Sequence, residues 1–176
     1  MDTFIAVAAL PADEAERRQD ELGALLHACV QDGASVGFVL PYALSDAHAF
    51  WAGNVLPAVR AGTRTLWVAR VDGAMAGTVQ LDCDTPPNQP HRAEVRKLLV
   101  HPQYRRRGVG RTLMRALEQH AGAVRRRLLT LDTRTGDHAE PLYAALGYQR
   151  AGIIPEFALD AQSRRYDSTT IMYKLL

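Results

Sequence analysis

The run Val95-Arg96-Lys97-Leu98-Leu99-Val100-His101-Pro102-Gln103-Tyr104-Arg105-Arg106-Arg107-Gly108-Val109-Gly110-Arg111 constrains this chain more than any other stretch. Leu98 to Val100 is apolar strand sequence, and Pro102, which has no N–H to give a neighbouring strand, stops it. A basic, glycine-bearing turn follows. Gly108 and Gly110 let the backbone approach a ligand with no Cβ in the way. Beyond them Val109, Leu113, Ala116, Leu117, Ala121 and Val124 recur at helical spacing, with His120 on the same stripe. A helix N-terminus leaves backbone N–H groups unpaired and carries partial positive charge. Placed after a glycine turn, those groups form a phosphate site. Arg105, Arg106, Arg107 and Arg111 add charge suited to a pyrophosphate.

Three phosphate loops compete for this pattern. A dinucleotide fingerprint needs a third glycine where Leu113 stands. A P-loop needs a Gly-Lys pair, which the chain lacks. The third pattern, Arg/Gln-x-x-Gly-x-Gly/Ala, is met by Arg105, Gly108 and Gly110. It resembles the acetyl-CoA loop of the GNAT superfamily of N-acetyltransferases, and the strand ending Leu98-Leu99-Val100-His101-Pro102 looks like the strand that precedes that loop. The resemblance implies acetyl-CoA as co-substrate, held by Leu98, Leu99, Val100, Arg105, Arg106, Arg107, Gly108, Val109, Gly110 and Arg111. The bland alternative for the arginines is a solvated patch that touches nucleic acid. A solvated patch has no need of paired glycines at a helix start. A second run, Arg125-Arg126-Arg127, ends the same helix, where it complements the C-terminal dipole.

Length and charge set limits. The 176 residues favour one domain over 1–176 with a sizeable core. The net charge of +2 is too balanced for a dedicated nucleic-acid binder. Cys29 and Cys83, far apart, offer neither a disulfide framework nor zinc-ligand spacing, and no metal is expected. A reducing, cytoplasmic setting fits. Asp2, Pro11, Asp13 and Glu14 are unlike a signal peptide, and no stretch is apolar enough to span a membrane.

The pattern along the chain predicts a strand at Phe4–Val7 and a helix from Asp13 as cap to about Val30. A flexible break falls at Gly33–Gly37, then a second helix from Ser45 as cap through Val59, closed by Gly62. Strands at 65–71 and 74–84 flank an Asp72-Gly73 turn. A proline loop leads to the 92–100 strand and the helix after it. A strand at Leu128–Asp132, a short helix at 139–146 and strands at 148–157 and 169–175 complete the order. This reads as α/β with a mixed sheet. It matches the GNAT acyl-CoA N-acyltransferase fold: a mostly antiparallel sheet with central splayed parallel strands, flanked by helices. The resemblance implies that the 98–100 and 128–132 strands flank the gap that receives the pantetheine arm.

Acetyl transfer to an amine must remove an ammonium proton, polarise the thioester carbonyl and stabilise the departing thiolate. Tyr143, in Ala139-Glu140-Pro141-Leu142-Tyr143-Ala144-Ala145-Leu146-Gly147-Tyr148, resembles the family tyrosine that faces the cofactor sulfur. Its bland alternative is a core aromatic with a locally satisfied hydroxyl. Glu94 opens the cofactor strand and is a candidate base, or a strand glutamate paired with Arg92 or Arg96. Asp132, at the C-terminal end of an apolar strand, is the second candidate, or a turn residue for Thr133–Gly136. The two carboxylates can equally grip a cationic amine.

Gly33-Ala34-Ser35-Val36-Gly37-Phe38, Arg92-Ala93-Glu94-Val95, and Leu128–Thr133 followed by Ala139-Glu140 and Tyr143 also resemble the tabtoxin-resistance acetyltransferases, from about residue 20 to the end. That resemblance implies a small, polar, amine-bearing acceptor, amino-acid-like or toxin-like, with a possible homodimer. Other readings are a non-catalytic acyl-CoA sensor and an enzyme acting on a protein or peptide amine.

Overall fold

A seven-stranded sheet organises the computed structural model, which describes residues 4–176. The strands are β1 (Ile5–Ala9), β2 (Arg64–Val71), β3 (Ala74–Asp82), β4 (Arg92–Val100), β5 (Leu128–Arg134), β6 (Gln149–Leu159) and β7 (Tyr166–Leu175). Their spatial order is β1-β2-β3-β4-β5-β7-β6. All neighbours run antiparallel except the β4–β5 pair, which is parallel. A parallel neighbour needs a crossover. The helix α5 (Val109–Ala123) supplies it, packing Val109, Leu113, Met114, Leu117 and Ala121 against β3, β4 and β5. The other face is covered by α1 (Ala12–Arg17), α2 (Gln19–Gln31), α3 (Leu44–Phe50) and α4 (Leu56–Arg60). Their core gathers Leu22, Leu25, Leu26, Trp51 and Leu56 against Leu66 and Val68 of β2. The short helix α6 (Ala139–Ala145) lies on the α5 side and sends Tyr143 into that core.

The expected elements are present, with altered boundaries. The single helix expected over 13–30 is two, because Arg18 leaves helical geometry between α1 and α2. Its guanidinium bridges the break by pairing with Glu14 and Glu21. Asp13 is not the cap. Pro11 holds that position, and Asp13 lies in the first turn near Arg17. Ser45 is not a cap either: Ala43 is, and the Asp46 carboxylate accepts the Ala43 N–H at 2.9 Å. Between α3 and α4 a π-helical turn, Trp51–Val55, inserts where a continuous helix was expected. It seats Trp51 fully inside, its indole N–H donating to Leu22 O at 2.8 Å. The Arg125–Arg127 run does more than face the helix dipole. Arg126 donates to Thr85 Oγ1 and to Arg92 O, tying the proline loop to the start of β4.

The β3–β4 register is held by a close approach. A Cβ at Gly77 would lie 2.6 Å from the Leu99 carbonyl oxygen and 3.1 Å from Leu113 and Val109 side-chain carbons. Backbone on one side and helix on the other leave no room to give. Gly77→Ala is therefore expected to destabilise the protein by about 1–3 kcal/mol, the usual range for overpacking. Thermal or urea unfolding would read it, and an unchanged midpoint would show that β4 can move.

Candidate active site

The site begins where two strands part. β4 and β5 pair at Arg92↔Leu128, Ala93↔Leu129 and Glu94↔Thr130, and the pairing ends there. β5 continues to Arg134 on β7, while β4 continues to Val100 on β3. A gap opens between them inside the sheet. It belongs to a cavity of about 1380 Å³ lined from both faces. Ligand pockets for one small molecule run to roughly 1,000 Å³. This one has room for a large cofactor and an acceptor together.

A bulge shapes the β4 side of the gap. Thr78 pairs with Leu99 and Gln80 with Arg96, so β4 spends one more residue than β3 over the same span. Lys97 takes up the extra length in the left-handed region, at φ 50°. Bulged strands re-aim side chains. Here Arg96 turns to Asp82 and Glu94, and Lys97 reaches into the α2–α4 side, where its Nζ donates to Val36 O at 2.5 Å. The ammonium lies 5.5 Å from the Phe38 ring centre and 5.6 Å from that of Phe50. Burial, then Arg96, pushes its pKa below the ordinary lysine value, Asp132 opposing and Arg64 adding to the fall.

The basic glycine turn stands at one mouth of the cavity. Gly108 is the N-cap of α5 at φ 86°, a conformation glycine adopts without strain. The first bond of the helix is Thr112 N–H to Gly108 O at 3.0 Å. The N–H groups of Val109, Gly110 and Arg111 thus have no partner within the helix. The two glycines serve different ends. At Gly108 a Cβ would find room, and the backbone conformation is what demands glycine. At Gly110 a Cβ would lie 3.1 Å from Leu142 Cδ2, so this glycine lets α5 and α6 approach across the gap.

The arginines of the turn divide. Arg105 pairs with Asp32 and donates from Nε to Val100 O at 3.2 Å, so its charge anchors the loop to the end of α2. Arg106 (φ 63°) and Arg107 are exposed, and Arg107 lies over the Tyr104 ring. Arg111 is half-buried beside the cavity. The side chain of Leu99 belongs to the α1–α4 core, and those of Leu98 and Val100 pack toward α5. These three residues therefore face the gap through backbone. The Val100 carbonyl is already used by Arg105 and, at 3.5 Å, by the Cys29 thiol.

The three candidate catalytic residues all line the cavity. Tyr143 is 6% exposed, and its hydroxyl makes none of the side-chain hydrogen bonds found among the described residues. Its ring meets Tyr148 edge-on at 5.7 Å. Burial first, then the negative charges of Asp132 and Asp137, holds the phenol well above its ordinary pKa. Asp132 is exposed at the far side of the gap and accepts from Thr169 Oγ1 at 3.1 Å. Glu94 sits at the last paired position of the two strands and is held by Arg96 Nη2 at 3.1 Å. The structure thus brings Asp132 near Tyr143 and places Glu94 at the vertex.

Sequence reasoning missed three polar residues of this wall, Arg64, Gln80 and Lys97. Gln80 carried a signal: a glutamine inside an otherwise buried strand requires a partner. Lys97 carried none, because the bulge that re-aims it follows from the pairing with β3. Among the described residues no group of three or more His, Cys, Asp or Glu could hold a metal ion, and no helix is long and apolar enough to cross a membrane.

Tyr143 depends on how α6 is hung. Glu140 Oε2 accepts the Gly136 N–H at 2.8 Å, and Oε1 accepts from Arg150 Nη2 at 2.6 Å. The Gly136 N–H, then Arg150, lowers the Glu140 pKa below 4.5. A carboxylate with a depressed folded pKa contributes stability above its unfolded value, and that stability is lost as pH falls through the folded value. Glu140→Gln is therefore expected to lower the melting temperature at neutral pH, with the difference from wild type closing at acid pH below 4.5. A difference independent of pH would assign the loss to packing.

A sheet with one parallel pair that splays apart, and a glycine turn opening the crossover helix beside it, defines an acyl-CoA-type transferase scaffold. Residues 62–150 match the family model described as an acetyltransferase (GNAT) domain. The chain belongs to the GNAT acetyltransferase family. An uncharacterized N-acetyltransferase from the hisH–hisA intergenic region of Azospirillum brasilense is 35% identical over 115 residues, covering 64% of this chain and 66% of that protein, just under two thirds of its length. A solved protein of Acinetobacter baylyi described as an acetyltransferase superposes with a TM-score of 0.81 at 16% identity, over 99% of this chain and 93% of that one. The Salmonella typhimurium protein yncA, solved with its cofactor acetyl-CoA, gives 0.76 at 15% identity, over 98% and 94%.

Proposed function

We propose that this protein transfers the acetyl group of acetyl-CoA to the amine of a small polar molecule, by direct attack with both substrates bound. One observation carries the reading: a single cavity joins the phosphate-ready turn at Gly108 to the gap beneath Tyr143 and Asp132. The residues present fit acetyl-CoA. The free N–H groups of Val109, Gly110 and Arg111 suit its pyrophosphate, with Arg106, Arg107 and Arg111 for charge. Arg105 holds the loop in shape through Asp32. Strand edge left unpaired beyond Glu94 suits the amides of pantetheine, as an added peptide would be held. When bound, the thioester supplies the activated acetyl group.

The protein's own groups then divide the proton work. Asp132 takes the amine proton or holds the ammonium, and Glu94, shared with Arg96, is the weaker candidate. Tyr143, a phenol and so protonated at neutral pH even before burial raises its pKa, serves as a donor to the departing thiolate. No cysteine nucleophile is needed. Burial pushes the Cys29 thiol up to about 11, with Arg105 working against it, and Cys83 is likewise raised by burial. The resemblance of Gly33–Phe38, Arg92–Val95 and Leu128–Thr133 to tabtoxin-resistance acetyltransferases is what supports a small, amino-acid-like or toxin-like acceptor.

Thiol release from acetyl-CoA with amino acids, dipeptides, aminoglycosides, polyamines and a β-lactam amino-acid toxin tests this reading. Saturable turnover with one class supports it. Binding without turnover across the panel would turn it toward a sensor or a macromolecular acceptor. Tyr143→Phe is expected to lower kcat about 100-fold with acetyl-CoA affinity kept. Asp132→Asn is expected to cost more turnover than Glu94→Gln, and the reverse order would make Glu94 the base. Gly108→Val is expected to weaken acetyl-CoA binding by about 1–2 kcal/mol, the cost of a left-handed conformation for a residue with a Cβ, as read by calorimetry.

A further inference from the structure

The acceptor side of the cavity holds more hydrogen-bond donors than the protein itself uses. Gln80 is fully buried, and its Nε2 has no partner, while its Oε1 accepts from Arg64 Nη1 at 3.4 Å. Arg64 gives Nη2 to Asp82 at 2.6 Å and Nη1 to Asn54 O at 3.2 Å, yet its buried Nε is unpartnered. Lys97 Nζ has three protons and one protein acceptor, Val36 O. All three side chains line the cavity. They are neighbours by register: Gln80 pairs with Arg96, the residue before Lys97, and Arg64 pairs with Asp82, two residues past Gln80.

Charge points the same way. Asp82 is taken by Arg64 and Arg96, and Glu94 by Arg96. Lys97 takes part in none of the ion pairs found among the described residues. A buried polar group without a partner costs free energy, and a buried cation without a counter-charge costs more. Three side chains with unspent donors, one of them an ammonium outside every ion pair among the described residues, ask for an anionic acceptor group.

We propose that Lys97, Gln80 and Arg64 form a carboxylate-binding subsite, so that the acceptor is an amine that also carries a carboxylate. This rests on the acetyltransferase reading above and narrows its substrate class. The Phe38 and Phe50 rings beside the ammonium restrict the subsite sideways and keep Lys97 from swinging away. Asp132, across the gap, is left for the amine end. The acceptor is thus read at both ends, its cation by Asp132 and its anion by Lys97.

The test uses matched compounds. Thiol release from acetyl-CoA is measured with methionine, phenylalanine and lysine, each against its decarboxylated amine. In parallel, calorimetry in the presence of CoA measures binding of the N-acetylated amino acids and of the N-acetylated decarboxylated amines. The variants are Lys97→Met, which keeps the aliphatic stem against the two rings, and Gln80→Leu. We expect the wild type to prefer the carboxylate member of at least one pair, and each variant to reduce that preference by about 10- to 100-fold, the worth of a hydrogen bond to a charged group. The loss should fall on the acceptor KM and on amide binding, with acetyl-CoA affinity unchanged. Equal binding of both members, no binding of either, or a preference that survives in both variants would overturn the subsite. A carboxylate preference in binding that the variants abolish, with no amine acetylated, would keep the subsite and overturn the acetyltransferase reading instead.

Discussion

The interrupted pairing of β4 and β5 is the constraint on which the rest of the structure depends. Inside a sheet, backbone N–H and C=O groups ordinarily satisfy one another, and leaving them bare is costly. Here three residue pairs hold the two strands together, and then they part. Each strand keeps its other neighbour, so the sheet survives as two halves hinged at Glu94 and Thr130. The bare edges become a slot that only an extended polar chain fills well. The candidate site is disposed around that slot. The glycine turn of α5 lies at one end, Tyr143 of α6 leans in from one face, and the α2–α4 layer closes the other.

Two devices keep the slot open. Gly110 lets the first turn of α5 and Leu142 of α6 meet closely, so that the helices brace each other rather than the strands. The bulge at Lys97 adds a residue to β4 where it leaves β5, which increases local twist and turns two consecutive side chains toward the acceptor side. The same bulge that separates the strands therefore furnishes the wall with a cation.

The charged residues that look alike in sequence do unlike work. Of the arginines at 105–107, one is an internal strut between the loop, Asp32 and Val100, while its two neighbours stay in solvent. Arg64 and Arg96 share Asp82, a buried acid on β3, and so fix the floor beneath the gap. Glu94 is paired with Arg96, whereas no arginine or lysine among the described residues holds Asp132 in an ion pair.

Much of this was legible in the chain itself. The glycine turn, the amphipathic α5 and the succession of strands and helices along the chain are written in local spacing, because helical period, glycine conformation and alternating burial act over a few neighbouring residues, while the tyrosine before Gly147-Tyr148 was legible only through the family resemblance. Those features determined the elements of the scaffold, and the resemblance they carry pointed to the family that the match over residues 62–150 shows. The break at Arg18, the π-helical turn at Trp51, the engagement of Arg105 by Asp32 and the re-aimed Lys97 were not legible. The break at Arg18 is bridged by local partners, Glu14 and Glu21; each of the others arises from a partner distant in sequence, on another strand or helix. Local sequence settled which elements form; only register across the sheet and packing between its faces decided which side chains share the cavity, because a shift of one residue in a strand sends a side chain to the opposite face.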